Sequence, residues 1–141
     1  MGRRSSTVEQ LKRVALFSAC TREELELIDA ATTELRFVAG QTLARQGKTG
    51  HEFVVIVEGS ARVEIGDQTV ARIEAGDFFG EIALLDGGPR TATVIAETDL
   101  VAEVIGQQEF GVLIERSPHL AKKLLVGLAR RLRAADIQLV D

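Results

Sequence analysis

The sequence between residues 53 and 65 is FVVIVEGSARVEI. An apolar run opens this stretch, a glycine follows the run, and apolar and charged residues then alternate. Ala61, Val63 and Ile65 fall on one phase of the alternation, and the charged residues between them fall on the other. A period of two is typical of a strand with one buried face. The stretch therefore predicts two β-strands separated by a turn.

Short segments of the same kind continue on both sides. The predicted strands cover residues 35–39, 42–44, 53–57, 61–65, 69–74, 91–96 and 100–105. Glycines separate most of them at the spacing of an all-β sandwich or barrel. We therefore expect a mainly β fold with flanking helices, in which residues 34–106 form an antiparallel β-roll of the jelly-roll or double-stranded β-helix type.

Helical spacing flanks the roll on both sides. Residues 7–33 are predicted to be helical, with Thr21 and Glu24 as a capping box at a helix start. Residues 107–141 predict two C-terminal helices divided before Pro118, because proline disrupts a helix interior. A leucine stripe at helical spacing marks the second of them and consists of Leu120, Leu124, Leu128 and Leu132. Residues 1–6 are polar and basic, and we expect them to form a disordered arm.

Composition and charge exclude several classes of protein. The chain has 141 residues and a mass of 15.3 kDa, which fits one domain over residues 7–141. Residues 50–115 carry 3 basic and 13 acidic side chains, a charge of −10, which disfavours nucleic acid or an anionic membrane as a partner of this region. Since the sequence has neither a long apolar run nor an export leader, we expect a cytoplasmic protein.

Metal and nucleophilic chemistry have few candidate residues. Cys20 is the single cysteine, and His51 and His119 are the two histidines. A zinc cage or a cupin-type metal cluster needs more ligands than these, so we expect no metal, no cofactor and no enzymatic activity. The basic residues of the last helix are expected to be a solvated face rather than a nucleic-acid site.

One segment between the predicted strands has a different pattern. Glu81-Ile82-Ala83-Leu84-Leu85 is a run of good helix formers that Gly80 precedes and two glycines follow after Asp86. We expect a helix of about one turn here. The first N–H groups of a helix lack internal partners and favour an anion in front of them.

Arg90 is the second unusual feature. It falls on the same phase as Ala92, Val94 and Ala96, which predicts that its guanidinium points inward. A buried guanidinium keeps its charge and needs an anionic partner. One reading is an internal ion pair with Glu81 or Asp86; the other is that the short helix and Arg90 converge on one phosphate. In the second reading, Glu81 would accept a hydrogen bond from a ribose hydroxyl.

The segments Phe79-Gly-Glu-Ile-Ala-Leu-Leu85 and Pro89-Arg-Thr-Ala-Thr-Val94 together resemble the phosphate-binding cassette of cyclic nucleotide-binding domains. The resemblance implies that Arg90 holds the cyclic phosphate together with backbone N–H groups of Ala83 and Thr91. It also implies that Glu81 and the Gly80 backbone bind the ribose 2′-hydroxyl. The implied ligand-binding set is Gly80, Glu81, Ile82, Ala83, Arg90, Thr91 and Ala92, with Val63 and Val70 beside the purine.

The last helix is similar to the long helix of catabolite-activator-type regulators, which dimerises and covers the base. The resemblance places Leu132, Ala135 and Asp136 near the base, although Ala135 and Asp136 replace the hydroxyl pair of the activators. A homodimer through this helix is an expectation of the same kind. No helix-turn-helix module follows Asp141 in this sequence, so we expect no DNA-reading domain.

The favoured function is a sensor module that binds cyclic nucleotide, cAMP in preference to cGMP, and couples binding to movement of the C-terminal helix. The resemblance keeps the base preference open at Thr91: in the family a hydroxyl at this position is linked with tolerance of cGMP, since it can meet the guanine amino group, but it also occurs in cAMP binders. Two alternatives remain open at this stage. The first is a pseudo-sensor that acts as a dimerisation or docking domain, and the second is a regulatory domain cut from a longer channel or transcription regulator.

Overall fold

The computed structural model describes residues 8–80 and 87–135, without the side chains of residues 15, 131, 132, 134 and 135. Residues 8–12 are helical, a short 3₁₀ helix spans Ala15–Phe17, and helix α1 spans Arg22–Ala31. The capping box predicted at the start of α1 is confirmed. The Thr21 hydroxyl oxygen accepts a hydrogen bond from the Glu24 N–H at 3.2 Å, and the Glu24 carboxylate accepts one from the Thr21 N–H at 2.8 Å.

Within residues 8–80 and 87–135, eight strands form two four-stranded antiparallel sheets. The strands are β1 (Thr33–Phe37), β2 (Thr42–Ala44), β3 (Glu52–Glu58), β4 (Ser60–Ile65), β5 (Gln68–Glu74), β6 (Phe78–Phe79), β7 (Thr93–Ala96) and β8 (Leu100–Gly106). One sheet has the order β1-β8-β3-β6, and the other has the order β2-β7-β4-β5. The predicted mainly β roll with flanking helices is confirmed. The sequence reading missed β6, whose two residues are too few for a periodic pattern.

Strand β3 explains the apolar run in the sequence, because both of its faces are buried. Phe53 and Val55 pack with the helices, whereas Val54 and Ile56 pack between the two sheets. The ring centroids of Phe53 and Phe17 lie 5.9 Å apart in an edge-on arrangement, so the 3₁₀ helix rests directly on this strand. The described part of the chain therefore has two apolar cores, one on each side of β3.

Two helices follow the roll, α2 (Gln107–Arg116) and α3 (Pro118–Ala135). Leu120 and Leu124 on α3 are buried with the N-terminal helices, so this part of the leucine stripe packs on its own domain. Gly127 lies so close to the 3₁₀ helix that a Cβ there would come within 2.6 Å of the Leu16 carbonyl oxygen. The helices within the described residues include none that is long and apolar enough to cross a bilayer.

Three parts of the predictions lie outside the described residues. These are the arm at residues 1–6, the short helix over residues 81–85 with Asp86 after it, and Asp136 with the residues that follow it. Leu132 and Ala135 lie within α3, but their side chains are not described.

Candidate functional site

The candidate site centres on Arg90, which lies three residues before β7. Its side chain is only 8% exposed, so the guanidinium is largely withdrawn from water. Two glycines make room for it. A Cβ on Gly50 would overlap the Nε of Arg90, and a Cβ on Gly80 would lie 2.6 Å from Nη1. The guanidinium therefore occupies a slot that exists because both neighbours lack a side chain.

Glu52 supplies the described hydrogen-bond partners of this guanidinium. Nη1 donates to the Glu52 main-chain carbonyl at 3.0 Å, and Nη2 donates to the Glu52 carboxylate at 3.5 Å. The Phe79 ring centroid lies 5.6 Å from the central carbon of the guanidinium, within reach of a cation–π interaction. The shorter contact thus comes from the backbone of β3, which cannot move away as a side chain can.

Burial and the nearby carboxylate act on the Arg90 pKa in opposite directions. Burial lowers this pKa because it penalises the charged form, and the negative charge of Glu52 raises it. An arginine pKa starts so high that the side chain remains a cation at neutral pH. The slot therefore holds the positive charge of the Arg90 guanidinium, largely withdrawn from water, with the Glu52 carboxylate beside it.

The backbone around Arg90 is fixed by the loop that precedes β3. The Arg90 N–H donates to the Lys48 carbonyl at 2.8 Å, and the Arg90 carbonyl accepts from the Gly47 N–H at 2.9 Å. Next to this pair, the Thr93 hydroxyl accepts from the Gln46 N–H at 2.9 Å. Because these contacts hold two segments about forty residues apart in the chain, the guanidinium has a defined position.

Val63 and Val70 lie on adjacent strands of the sheet β2-β7-β4-β5. Val63 pairs with Ala71 across β4 and β5, and an irregularity in the register follows, at which Val70 is the extra residue on β5. Val70 is 52% exposed, and Val63 is half-buried against the core between the sheets. Val63 also pairs with Val94 on β7. Strand β4 is therefore the direct neighbour of the strand that follows Arg90.

The remaining predicted ligand-binding residues fall into two groups. Thr91 is exposed and Ala92 half-buried, directly after Arg90, and Gly80 lies in the slot. Glu81, Ile82, Ala83 and Asp136 lie outside the described residues, so the ion pair of Arg90 with Glu81 or Asp86 is not described either.

The sequence predicted Gly50 only as a turn glycine between strands, and it gave no role in the site to Gly50 or Glu52. The available signal was weak: a glycine two residues before an apolar strand usually indicates only a turn. Nothing in the spacing relates position 50 or 52 to position 90, because that contact depends on how the loop before β3 meets the segment before β7.

The residues considered above for metal and nucleophilic chemistry are Cys20, His51 and His119, and all three lie within the described residues. Burial, with a smaller effect from Glu24, raises the pKa of the Cys20 thiol to about 11, so the thiol is protonated and unreactive at neutral pH. His51 and His119 are exposed. Residues 8–80 and 87–135 contain no cluster of three or more histidine, cysteine or acidic side chains that could hold a metal ion.

The chain is a β-roll domain with a largely buried arginine beside β3, and comparison with known proteins gives its family. The family model of the cyclic nucleotide-binding domain matches residues 34–117. The chain belongs to this family.

Curated relatives and solved structures agree with that assignment. The chain is 32% identical over 138 residues to the cAMP-dependent protein kinase regulatory subunit of Colletotrichum orbiculare, which covers 96% of this chain and 33% of that protein. It is 32% identical over 134 residues to the cyclic AMP receptor protein of Thermus thermophilus, covering 92% of this chain and 62% of that protein. The N-terminal domain of a transcriptional regulator from Streptomyces coelicolor A3(2) superimposes with a TM-score of 0.83 at 29% identity, covering 94% of this chain and 98% of that one. The chain thus spans less than two thirds of both curated relatives.

Proposed function

We propose that this chain is a sensor module that binds cAMP in preference to cGMP and couples binding to the position of α3. The observation that carries the proposal is the buried guanidinium of Arg90 in its two-glycine slot. The two curated relatives described above are named for cAMP, which supports the choice of base. In this role the domain regulates other proteins and performs no chemistry on its ligand.

The slot suits a cyclic phosphate for electrostatic reasons. A guanidinium presents five N–H donors, and the described contacts to Glu52 use two of its nitrogens. A phosphate beside it would form charge-assisted hydrogen bonds, which are stronger than neutral ones and are weakly screened in a buried site. Gly80, Glu81, Ile82, Ala83, Thr91 and Ala92 would complete the binding site around phosphate and ribose, with Val63 and Val70 beside the base.

Helix α3 is the proposed moving part. Its first half is held by Leu120 and Leu124 in the core and by an ion pair of 2.7 Å between Lys123 and Glu24. Its second half carries Leu132 and Ala135, with Asp136 directly after it, and we propose that this end covers the base. A ligand shifts such an equilibrium only by binding one helix position more tightly than the other, so the helix end must contact the nucleotide.

Titration of the purified chain with cAMP and with cGMP tests the proposal. The sequence has no Trp or Tyr, so calorimetry or a fluorescent nucleotide is the suitable method. We expect saturable 1:1 binding of both ligands with the tighter affinity for cAMP. Tighter binding of cGMP would refute the base preference, and no binding of either at millimolar concentration would refute the sensor function.

The pseudo-sensor alternative predicts a dimer without ligand binding. Leu120 and Leu124 are buried, whereas Leu125 and Val126 are large apolar residues of α3 that are exposed, at 64% and 38% exposure, among the side chains that the structure describes. A homodimer through α3 would therefore use that other face. Size-exclusion chromatography with and without cAMP tests it, since a monomer in both conditions would exclude this dimer.

The cytoplasmic location remains a prediction from the sequence.

A further inference from the structure

The contact between Arg90 and Glu52 has two parts of unequal strength. The main-chain carbonyl of Glu52 lies 3.0 Å from Nη1 and belongs to the β3 backbone. The carboxylate lies 3.5 Å from Nη2, and the Glu52 side chain is 55% exposed, whereas that of Arg90 is 8% exposed. One partner is thus fixed, and the other lies at the boundary with solvent.

We propose that the Glu52 carboxylate is a displaceable counter-ion of Arg90, which neutralises the guanidinium in the nucleotide-free protein and gives way to the phosphate on binding. The inference rests on the proposed function, because it assigns the incoming anion to the same guanidinium. Glu52 thereby lowers the affinity of the site for its nucleotide.

The surroundings of Glu52 allow this exchange. Gly106 lies opposite Glu52 on β8 and has no side chain of its own, and a Cβ there would meet the Glu109 carboxylate. The nearby group on this side is therefore another acid, which does not hold the Glu52 carboxylate by an ion pair. A half-exposed carboxylate regains water when it turns outward, which makes the movement inexpensive. The Glu52 carbonyl keeps its bond to Nη1 throughout, so the guanidinium stays in place while Nη2 changes partner.

The Glu52 carboxylate and the phosphate compete for the Arg90 guanidinium. The carboxylate therefore weakens nucleotide binding and stabilises the nucleotide-free protein. The carboxylate favours the nucleotide-free protein, and removing its charge leaves the phosphate as the stronger remaining counter-ion. Glu52→Gln keeps the side-chain shape and a neutral acceptor but removes the charge. We therefore expect this variant to bind cAMP more tightly and to melt at a lower temperature without nucleotide.

The expected changes in cAMP affinity and in melting temperature are estimated from the typical energies of ion pairs with a solvent-exposed partner. We expect about two- to fivefold tighter binding of cAMP and a decrease of about 1–4 °C in the ligand-free melting temperature. Glu58→Gln is the matched control, because Glu58 is an exposed glutamate at the other end of β3 and makes the same change in net charge. It should leave both quantities near the parent values. Unchanged or weaker cAMP binding by Glu52→Gln would overturn the inference.

The Arg90→Ala background separates a counter-ion from a merely structural residue. If Glu52 acts on Arg90, Glu52→Gln should no longer lower the melting temperature once Arg90 is alanine. An equal decrease in both backgrounds would overturn the inference. Failure of the parent chain to bind cAMP refutes the sensor function instead, and the melting comparison still tests the pairing of Glu52 with Arg90.

Discussion

Replacing Arg90 with alanine is the most direct test of the site. The guanidinium is 8% exposed, so its interaction with a phosphate would be weakly screened by water and salt. Removing one partner of such a charge pair costs about 2–5 kcal/mol, which corresponds to about 30- to 4,000-fold weaker cAMP binding. Lysine at the same position keeps the charge but not the planar fork, so Arg90→Lys should lie between the parent and the alanine variant.

Arg90→Ala should change the free energy of unfolding much less than it changes the affinity for cAMP. Without ligand, alanine removes the Glu52 contacts and the cation–π contact with Phe79, and it also relieves a buried charge. These effects oppose one another, so we expect a loss of unfolding free energy of about 1 kcal/mol or less.

Calorimetric titration and thermal melting of the same samples give both quantities for Arg90→Ala. Arg72→Ala is the matched control, because Arg72 lies on the same roll with a side chain 64% exposed and paired to Glu97 at 3.1 Å. The control should keep the parent affinity. Affinity of Arg90→Ala within twofold of the parent would refute the reasoning.

Three further predictions concern the slot and α3. Gly50→Ala should weaken cAMP binding at least tenfold in the same titration, because its Cβ would displace the Arg90 guanidinium. Lys123→Ala should lower the unfolding free energy by about 1 kcal/mol at pH 7. Lys123 holds the Glu24 pKa below its usual 4.5, so this stabilisation is present above pH 4.5 and is lost as the pH falls through the lowered value; denaturant melts from pH 7 to pH 3 check it. Truncation before Leu128 should weaken nucleotide binding more than it lowers the melting temperature, since the buried leucines of α3 remain.

Two control variants separate these effects from a general loss of stability. Gly111→Ala meets no atom within 4 Å and lies inside α2, so it should raise stability by about 0.5–1 kcal/mol and leave affinity unchanged. Lys122→Ala removes an exposed cation beside Lys123 and should leave the pH profile intact. Parent-like cAMP binding by Gly50→Ala would show that the slot does not position Arg90. A larger effect of the truncation on melting than on binding would argue against α3 as a lid.

The local elements of this protein could be read from its sequence with small errors. Alternation predicted β4, and the capping box predicted the start of α1, because both patterns depend on neighbours within a few residues. The strand predicted to begin at residue 91 begins at Thr93 instead, since the Arg90 backbone hydrogen-bonds to Gly47 and Lys48 in the loop before β3. Ile65 was expected on the buried phase and is 49% exposed, because it lies at the end of its strand.

The sequence by itself determined the order of most helices and strands and the resemblance of the cassette, and it predicted that Arg90 points inward. Only the tertiary structure decided that the partners of Arg90 are Gly50 and Glu52, thirty-eight residues or more away in the chain. The physical reason is that periodicity and capping arise from near neighbours and leave a mark in the sequence. The meeting of the loop before β3 with the segment before β7 depends on strand register and on the packing of both cores, which no local pattern records.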